Sequence, residues 1–160
     1  VGVGTTFRVT LPPSSENELR RLTSEVAPRQ PPRRTILVVD DDAQIRRWFE
    51  RILPHHDVTT VPSVDAAEDA LKTRSFDAIL CDVMMPDRTG LDMHTLVKTH
   101  HPELLDHLIF MSGGTFTPAL TEFFEHVPNV CLKKPFPKAD LERAIEKVTR
   151  STAPRGAHAG

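Results

Sequence analysis

The sequence predicts a doubly wound α/β fold: five parallel strands in one sheet, with helices packed on both faces. Three observations carry that expectation. Short, continuously apolar runs alternate with segments whose apolar residues recur at the helical period, from Ile36 to Val148. Runs without polar alternation belong to strands buried on both faces, which is the habit of parallel sheets. Polar residues of related chemistry end the runs, as expected where strands deliver side chains to a common rim by the switch point of the sheet.

The elements follow in order. Residues 36–39 (ILVV) form the first strand, and Ile45, Trp48, Phe49 and Ile52 share one face of the first helix. Residues 58–61 are the β-branched second strand. Ser63 then caps a helix whose inner face is Val64, Ala67 and Leu71. Residues 78–81 are the third strand, followed by a helix carrying Met93, Leu96 and Val97. Residues 108–111 are the fourth. Thr117 and Pro118 read as N-cap and first position of a short helix with Leu120, Phe123 and Phe124. Residues 130–132 are the fifth strand, and Leu141, Ala144, Ile145 and Val148 give the last helix its face.

Composition narrows the function classes. The 160 residues are 39% apolar and 26% charged, enough for a packed core rather than a disordered chain. Twenty basic and 22 acidic residues leave a net charge of −2, which gives no pull towards nucleic acid or an acidic membrane surface. No apolar stretch reaches the roughly 18 residues that a membrane span needs, and no signal peptide is visible. Direct membrane contact is not expected, and the location read from these features is cytoplasmic. Cys81 and Cys131 sit in apolar runs and read as small buried hydrophobes in a reducing compartment. His55-His56 and His100-His101 read as solvated loop and helix-end residues, since adjacent histidines rarely chelate one ion.

Four regions are expected: a strand over 1–12 (VGVGTTFRVTLP), a Pro-rich linker over 13–34, a globular domain over 35–150 and a disordered tail over 151–160. A start at Val1 rather than Met reads as a fragment or a processed product.

The rim residues carry the chemistry. The first strand ends in Asp40-Asp41-Asp42 and the third in Asp82; Ser112 follows the fourth, and Lys134 the fifth. Strand ends are wet and collect polar residues regardless, but carboxylates, a hydroxyl and an amine in this order exceed that background. Crowded carboxylates repel, and a hard, oxygen-preferring cation such as Mg²⁺ relieves the repulsion. An aspartate so placed can attack a phosphoryl donor, with metal, lysine and hydroxyl neutralising charge.

Four blocks, ILVVDDDAQIRR, DAILCDVMMPDRTGLDM, LIFMSGG and CLKKPF, resemble the signatures of bacterial response-regulator receiver domains, in the same order and spacing over residues 35–150. The resemblance implies a flavodoxin-like sheet of order 2-1-3-4-5. It implies Asp82 as phosphoacceptor and Asp40 and Asp41 as the acidic pair for Mg²⁺, Asp41 as direct ligand and Asp40 through water. The backbone carbonyl of Met84 completes the protein ligands. Ser112 matches the hydroxyl that turns to the phosphoryl group, Lys134 the lysine that pairs with it, and the Lys134-Pro135 bond is expected cis. Asp42 falls outside the metal's direct ligands, Lys133 is a solvated neighbour, and Pro86 and Gly90 shape the loop after Asp82.

One departure stands out. Where many receivers carry an aromatic switch residue on strand five, this chain has Cys131. Gly113 and Gly114 leave the rim beside Ser112 bare. Normal phosphorylation with a weak or altered change at the fourth-helix surface is therefore expected.

Residues 1–12 resemble the closing strand of the ATP-binding domain of histidine kinases, an order of parts found in hybrid kinases. The chain itself is expected neither to bind ATP usefully nor to autophosphorylate; the parent protein would be the kinase. Its partners would be a histidine kinase dimerisation domain or a histidine phosphotransfer protein, with dimerisation possible and no DNA-binding output domain expected. Two alternatives are a phosphatase of the haloacid dehalogenase type and a silent receiver used as an interaction module. Against the first, Gln44 replaces the expected Thr or Val and DVMMPDRTG goes unexplained.

Overall fold

The structure is a computed structural model and describes residues 32–114 and 118–150. The expectations for residues 1–12, for most of the 13–34 linker, for Thr117 and for the tail over 151–160 lie outside the described residues. Strands β1 (Thr35–Val39), β2 (Asp57–Val61), β3 (Ala78–Asp82), β4 (Leu108–Ser112) and β5 (Val130–Lys133) form one sheet. Its order is β2-β1-β3-β4-β5, and every pairing is parallel. Helices α1 (Ala43–Ile52), α2 (Val64–Thr73), α3 (Gly90–His100), α4 (Pro118–His126) and α5 (Lys138–Thr149) connect or follow them.

The strand period of two divides the core. Leu37, Val39, Ile79, Cys81 and Phe110 face α2, α3 and α4, where Val64, Ala67, Leu71, Met93, Val97 and Leu120 cover them. Ile36, Val38, Ala78, Leu80, Ile109 and Met111 face Phe49 of α1 and Leu141, Ala144 and Ile145 of α5. β3 and β4 are buried along their whole lengths. That is why their sequences read as unbroken apolar runs.

Caps fix where the helices begin. The Asp42 carboxylate accepts from Gln44 N (2.7 Å) ahead of α1, and Ser63 Oγ accepts from Ala66 N (3.3 Å) ahead of α2. Before α3, Thr89 N donates to Asp92 (2.7 Å). That hydrogen bond is the main reason the Asp92 carboxyl titrates below its ordinary value.

Two features depart from the sequence reading. A 3₁₀ helix over Pro102–His107 precedes β4, too short to show a helical period. Cys131 is exposed, not buried. β5 is an edge strand in which Val130 and Leu132 pack inward while Cys131 and Lys133 stand exposed, so only one of its faces is covered.

Candidate functional site

Residue 82 ends β3 and residue 112 ends β4, while residue 40 lies one step past β1 and residue 134 one step past β5. Register then does the assembly. Val39 pairs with Cys81, Asp82 with Met111 and Ser112 with Lys133, so all four termini come out level at one rim. Lys134 N donates to Ser112 O (2.6 Å), which carries the β4–β5 ladder one residue beyond the strands. The Lys134-Pro135 peptide is cis.

At this rim one ammonium serves two buried carboxylates. Lys134 Nζ donates to Asp40 Oδ2 and to Asp82 Oδ1, each at 2.8 Å. The remaining oxygens are held by the backbone: Asp40 Oδ1 accepts from Asp42 N (3.0 Å) and Asp82 Oδ2 from Met84 N (3.2 Å). Burial pushes the Asp82 carboxyl above its ordinary value, against the pull of Lys134. Burial opposes the Lys134 charge as well, but its hydrogen bonds to Asp40 and Asp82 outweigh that and raise its pKa. Charge neutralisation in this trio is therefore incomplete, with two anions sharing one cation.

Two close-fitting loops hold the trio. In the acidic turn after β1, Arg46 Nη1 donates to the carbonyls of Asp40 (2.6 Å) and Asp41 (2.9 Å). The loop after β3 bends through Asp87 at φ 63°, and Arg88 ties it to Asp65 of α2 at 2.5 Å. Gly90, which opens α3, lies under the site. A Cβ there would come within 3.1 Å of Val83 Cα and 3.3 Å of the Asp82 carbonyl, so any side chain would push against the strand end.

The β4–β5 side is open by contrast. Gly113 and Gly114 are exposed; a Cβ at Gly113 would meet nothing nearer than Lys134 Cδ at 3.8 Å, and one at Gly114 would meet nothing. Cys131 pairs in register with Phe110. Phe110 in turn packs edge-on against Phe123 (5.9 Å) and Phe124 (5.1 Å) of α4, and His94 of α3 stacks edge-on with Phe123 (5.0 Å).

Of the residues singled out from sequence, Asp40, Asp82 and Lys134 are brought into direct contact. Ser112 is buried at the same rim, and its hydroxyl has no partner among the described residues. Asp41 is exposed, its carboxylate likewise without a partner among the described residues. Met84 is 54% exposed, with its N–H on Asp82. Among the described residues no group of three or more His, Cys, Asp or Glu side chains converges as a metal cluster, and Lys134 takes one oxygen each of Asp40 and Asp82. The donors nonetheless suit a hard cation, all being oxygens and two of the carboxylates already adjoining. A depression of about 330 Å³ lined by His107, Asn129 and Lys147 lies at the other end of the sheet and shares no residue with the site.

Arg46 was not singled out from sequence. A signal was present: a cation in the first turn of a helix opposes the helix dipole, so it needs a specific partner.

Comparison with known proteins decides the family. The model of the response regulator receiver domain matches residues 36–146. The chain belongs to this receiver family. Curated relatives of the receiver include the DNA-binding transcriptional regulator NtrC of Klebsiella pneumoniae, 33% identical over 116 residues and 71% of this chain. NtrC of Azospirillum brasilense is 31% identical over 125 residues and 77% of this chain. The receiver spans about a quarter of the length of these relatives (24% and 26%).

Among solved structures, a response regulator receiver protein of Sinorhizobium medicae superposes with a TM-score of 0.63 at 27% identity. That match covers 74% of this chain and 96% of the other. The receiver domain of the sensor histidine kinase PA1611 of Pseudomonas aeruginosa, solved with a magnesium ion coordinated in its active-site cleft, superposes with a TM-score of 0.65. At 21% identity over 74% of this chain and 98% of the other, it shows the shared fold. Receivers act in two-component signalling, and phosphoryl acceptance by an aspartate and Mg²⁺ binding are general to them.

Proposed function

We propose that this receiver accepts a phosphoryl group from a phosphohistidine onto Asp82 in a Mg²⁺-dependent reaction. The observation that carries the reading is the single ammonium of Lys134 shared at 2.8 Å between Asp40 and Asp82. An Asp82 oxygen attacks phosphorus, the P–N bond to the donor imidazole breaks, and that nitrogen keeps the electron pair and takes up a proton. An aspartyl phosphate results. Asp40, Asp41, Asp82 and the Met84 carbonyl would hold Mg²⁺, which when bound supplies positive charge to the transferred phosphoryl oxygens. Lys134 is held beside Asp82 and can re-pair with a phosphoryl oxygen without moving far. Ser112, a hydroxyl without a partner among the described residues, donates to another.

The same reading makes residues 1–12 the end of a histidine-kinase ATP-binding domain, 13–34 a linker, 35–150 the receiver and 151–160 a tail. The receiver would then sit in a hybrid kinase and exchange phosphoryl groups with a histidine kinase dimerisation domain or a histidine phosphotransfer protein in the cytoplasm. Among the described residues no helix is long and apolar enough to cross a membrane.

The test is intact mass after incubation with acetyl phosphate and Mg²⁺. One acid-stable, base-labile phosphoryl adduct is expected, absent in Asp82→Asn and absent with EDTA. A folded wild-type chain that takes no adduct overturns the reading and leaves a binding module.

A further inference from the structure

Three consecutive carboxylates, Asp40-Asp41-Asp42, make a turn that ought to spread by mutual repulsion. Its backbone is instead closely tied. Asp40 N donates to Val61 O at the end of β2 (3.2 Å), and Asp42 N folds back to Asp40 Oδ1 (3.0 Å). Both remaining carbonyls of the turn, those of Asp40 and Asp41, accept from the same nitrogen, Arg46 Nη1, at 2.6 and 2.9 Å. Arg46 also donates its own N–H to Asp42 O (3.0 Å) as part of α1, so it touches all three acidic residues.

The choice of partner is informative. A surface arginine beside three carboxylates would ordinarily take a carboxylate. This one is half-buried and spends its guanidinium on two peptide carbonyls, close to the helix end that disfavours a cation. Holding those two carbonyls fixes the peptide planes on either side of Asp41, and so the directions in which Asp40 and Asp41 leave the chain. Asp41 needs this more than its neighbours do, since its exposed carboxylate has no partner among the described residues.

We propose that Arg46 is a positioning residue that aims Asp40 and Asp41 at the divalent cation. The inference rests on the Mg²⁺-dependent reading above. Arg46 acts through the backbone and touches neither the cation nor the phosphoryl group. Two effects compete: ordering the turn strengthens cation binding, whereas a nearby guanidinium repels the cation. The geometry favours ordering, because the charge is committed to carbonyls at hydrogen-bonding distance. Loss of an outer residue that orients metal ligands commonly weakens metal affinity by about 10- to 100-fold.

The experiment is an Mg²⁺ titration of the full chain, followed by the amide shifts of Asp41, Asp82 and Met84, for wild type, Arg46→Lys and Arg46→Met. Phosphorylation rates with acetyl phosphate at limiting and saturating Mg²⁺ accompany it. The expected result is a dissociation constant raised about tenfold in Arg46→Met and less in Arg46→Lys, with the rate restored at saturating Mg²⁺. Native amide dispersion outside residues 40–46 serves as the folding check. A dissociation constant that is unchanged or lowered in Arg46→Met overturns the proposal, as does a rate loss that saturating Mg²⁺ leaves in place. Failure of the wild-type chain to titrate would instead overturn the Mg²⁺-dependent reading itself.

Discussion

Along the carboxyl ends of the strands, the β1–β3 half and the β4–β5 half hold their polar groups in different ways. In the first, all four carboxylate oxygens of Asp40 and Asp82 have donors, and the carbonyls of the adjoining turn are held by Arg46. In the second, two exposed glycines follow a buried serine whose hydroxyl has no partner among the described residues, and an exposed cysteine lies further back on β5, opposite Phe110. Chemistry that depends on placement needs the first kind of construction. A change of conformation needs the second, where few contacts must be given up. Lys134 belongs to both halves: its backbone closes the β4–β5 ladder and its ammonium closes the acid pair.

Breaking the first half should give the largest effect. Lys134→Ala leaves Asp40 and Asp82 buried without their cation, and loses about 3 kcal/mol of unfolding free energy at neutral pH. The pH dependence follows from the signs. A raised Lys134 pKa means that its stabilisation is complete below the ordinary value of 10.5 and is lost as pH rises through the higher folded value. On the acid side, the raised Asp82 carboxyl protonates above its ordinary value of 3.8 and relieves the repulsion, so the deficit of the variant narrows there. Urea unfolding at a series of pH values measures both.

Asp82→Asn works in the other direction. A carboxyl whose folded pKa is raised destabilises the fold once pH exceeds that value, so the amide variant gains roughly 1 kcal/mol at neutral pH, and the gain fades towards pH 4. A less stable variant at neutral pH would mean that the Asp82–Lys134 bond outweighs the burial of the second anion.

The smallest stability effect belongs to the open half. Cys131→Tyr places a ring on an exposed edge position and changes stability by no more than about 0.5 kcal/mol. Its effect appears in signalling instead. Amide shift changes on phosphorylation across residues 118–132 are expected to be larger in the variant than in wild type. Equal changes would mean that the Phe110–Phe123–Phe124 packing already transmits the response without a ring on β5.

Legibility in the sequence follows the same division. The buried strands are visible because strands covered on both faces leave unbroken apolar runs, and Asp40, Asp82 and Ser112 because each stands where such a run stops; Lys134 lies one residue further on, behind Lys133. Cys131 was misplaced for a reason internal to that logic. In VCLK only Val130 and Leu132 pack inward, and a small apolar residue between them hides the alternation. The half-buried bond from Thr35 N to Asp77 (2.8 Å) and the buried Arg34, which donates to Thr149 O (3.2 Å), have no local pattern at all. They join residues 42 and 115 positions apart, and only the tertiary fold makes them neighbours.

The bonds from Lys134 to Asp82 and Asp40 span 52 and 94 residues of chain. During synthesis the two aspartates therefore leave the ribosome long before their ammonium does, and contacts of such long range form slowly in any case. β5 lies at an edge of the sheet and, among the described residues, pairs only with β4. Only when β5 is docked do the two acids have their cation, so the candidate site is a property of the whole sheet and of no shorter piece of it.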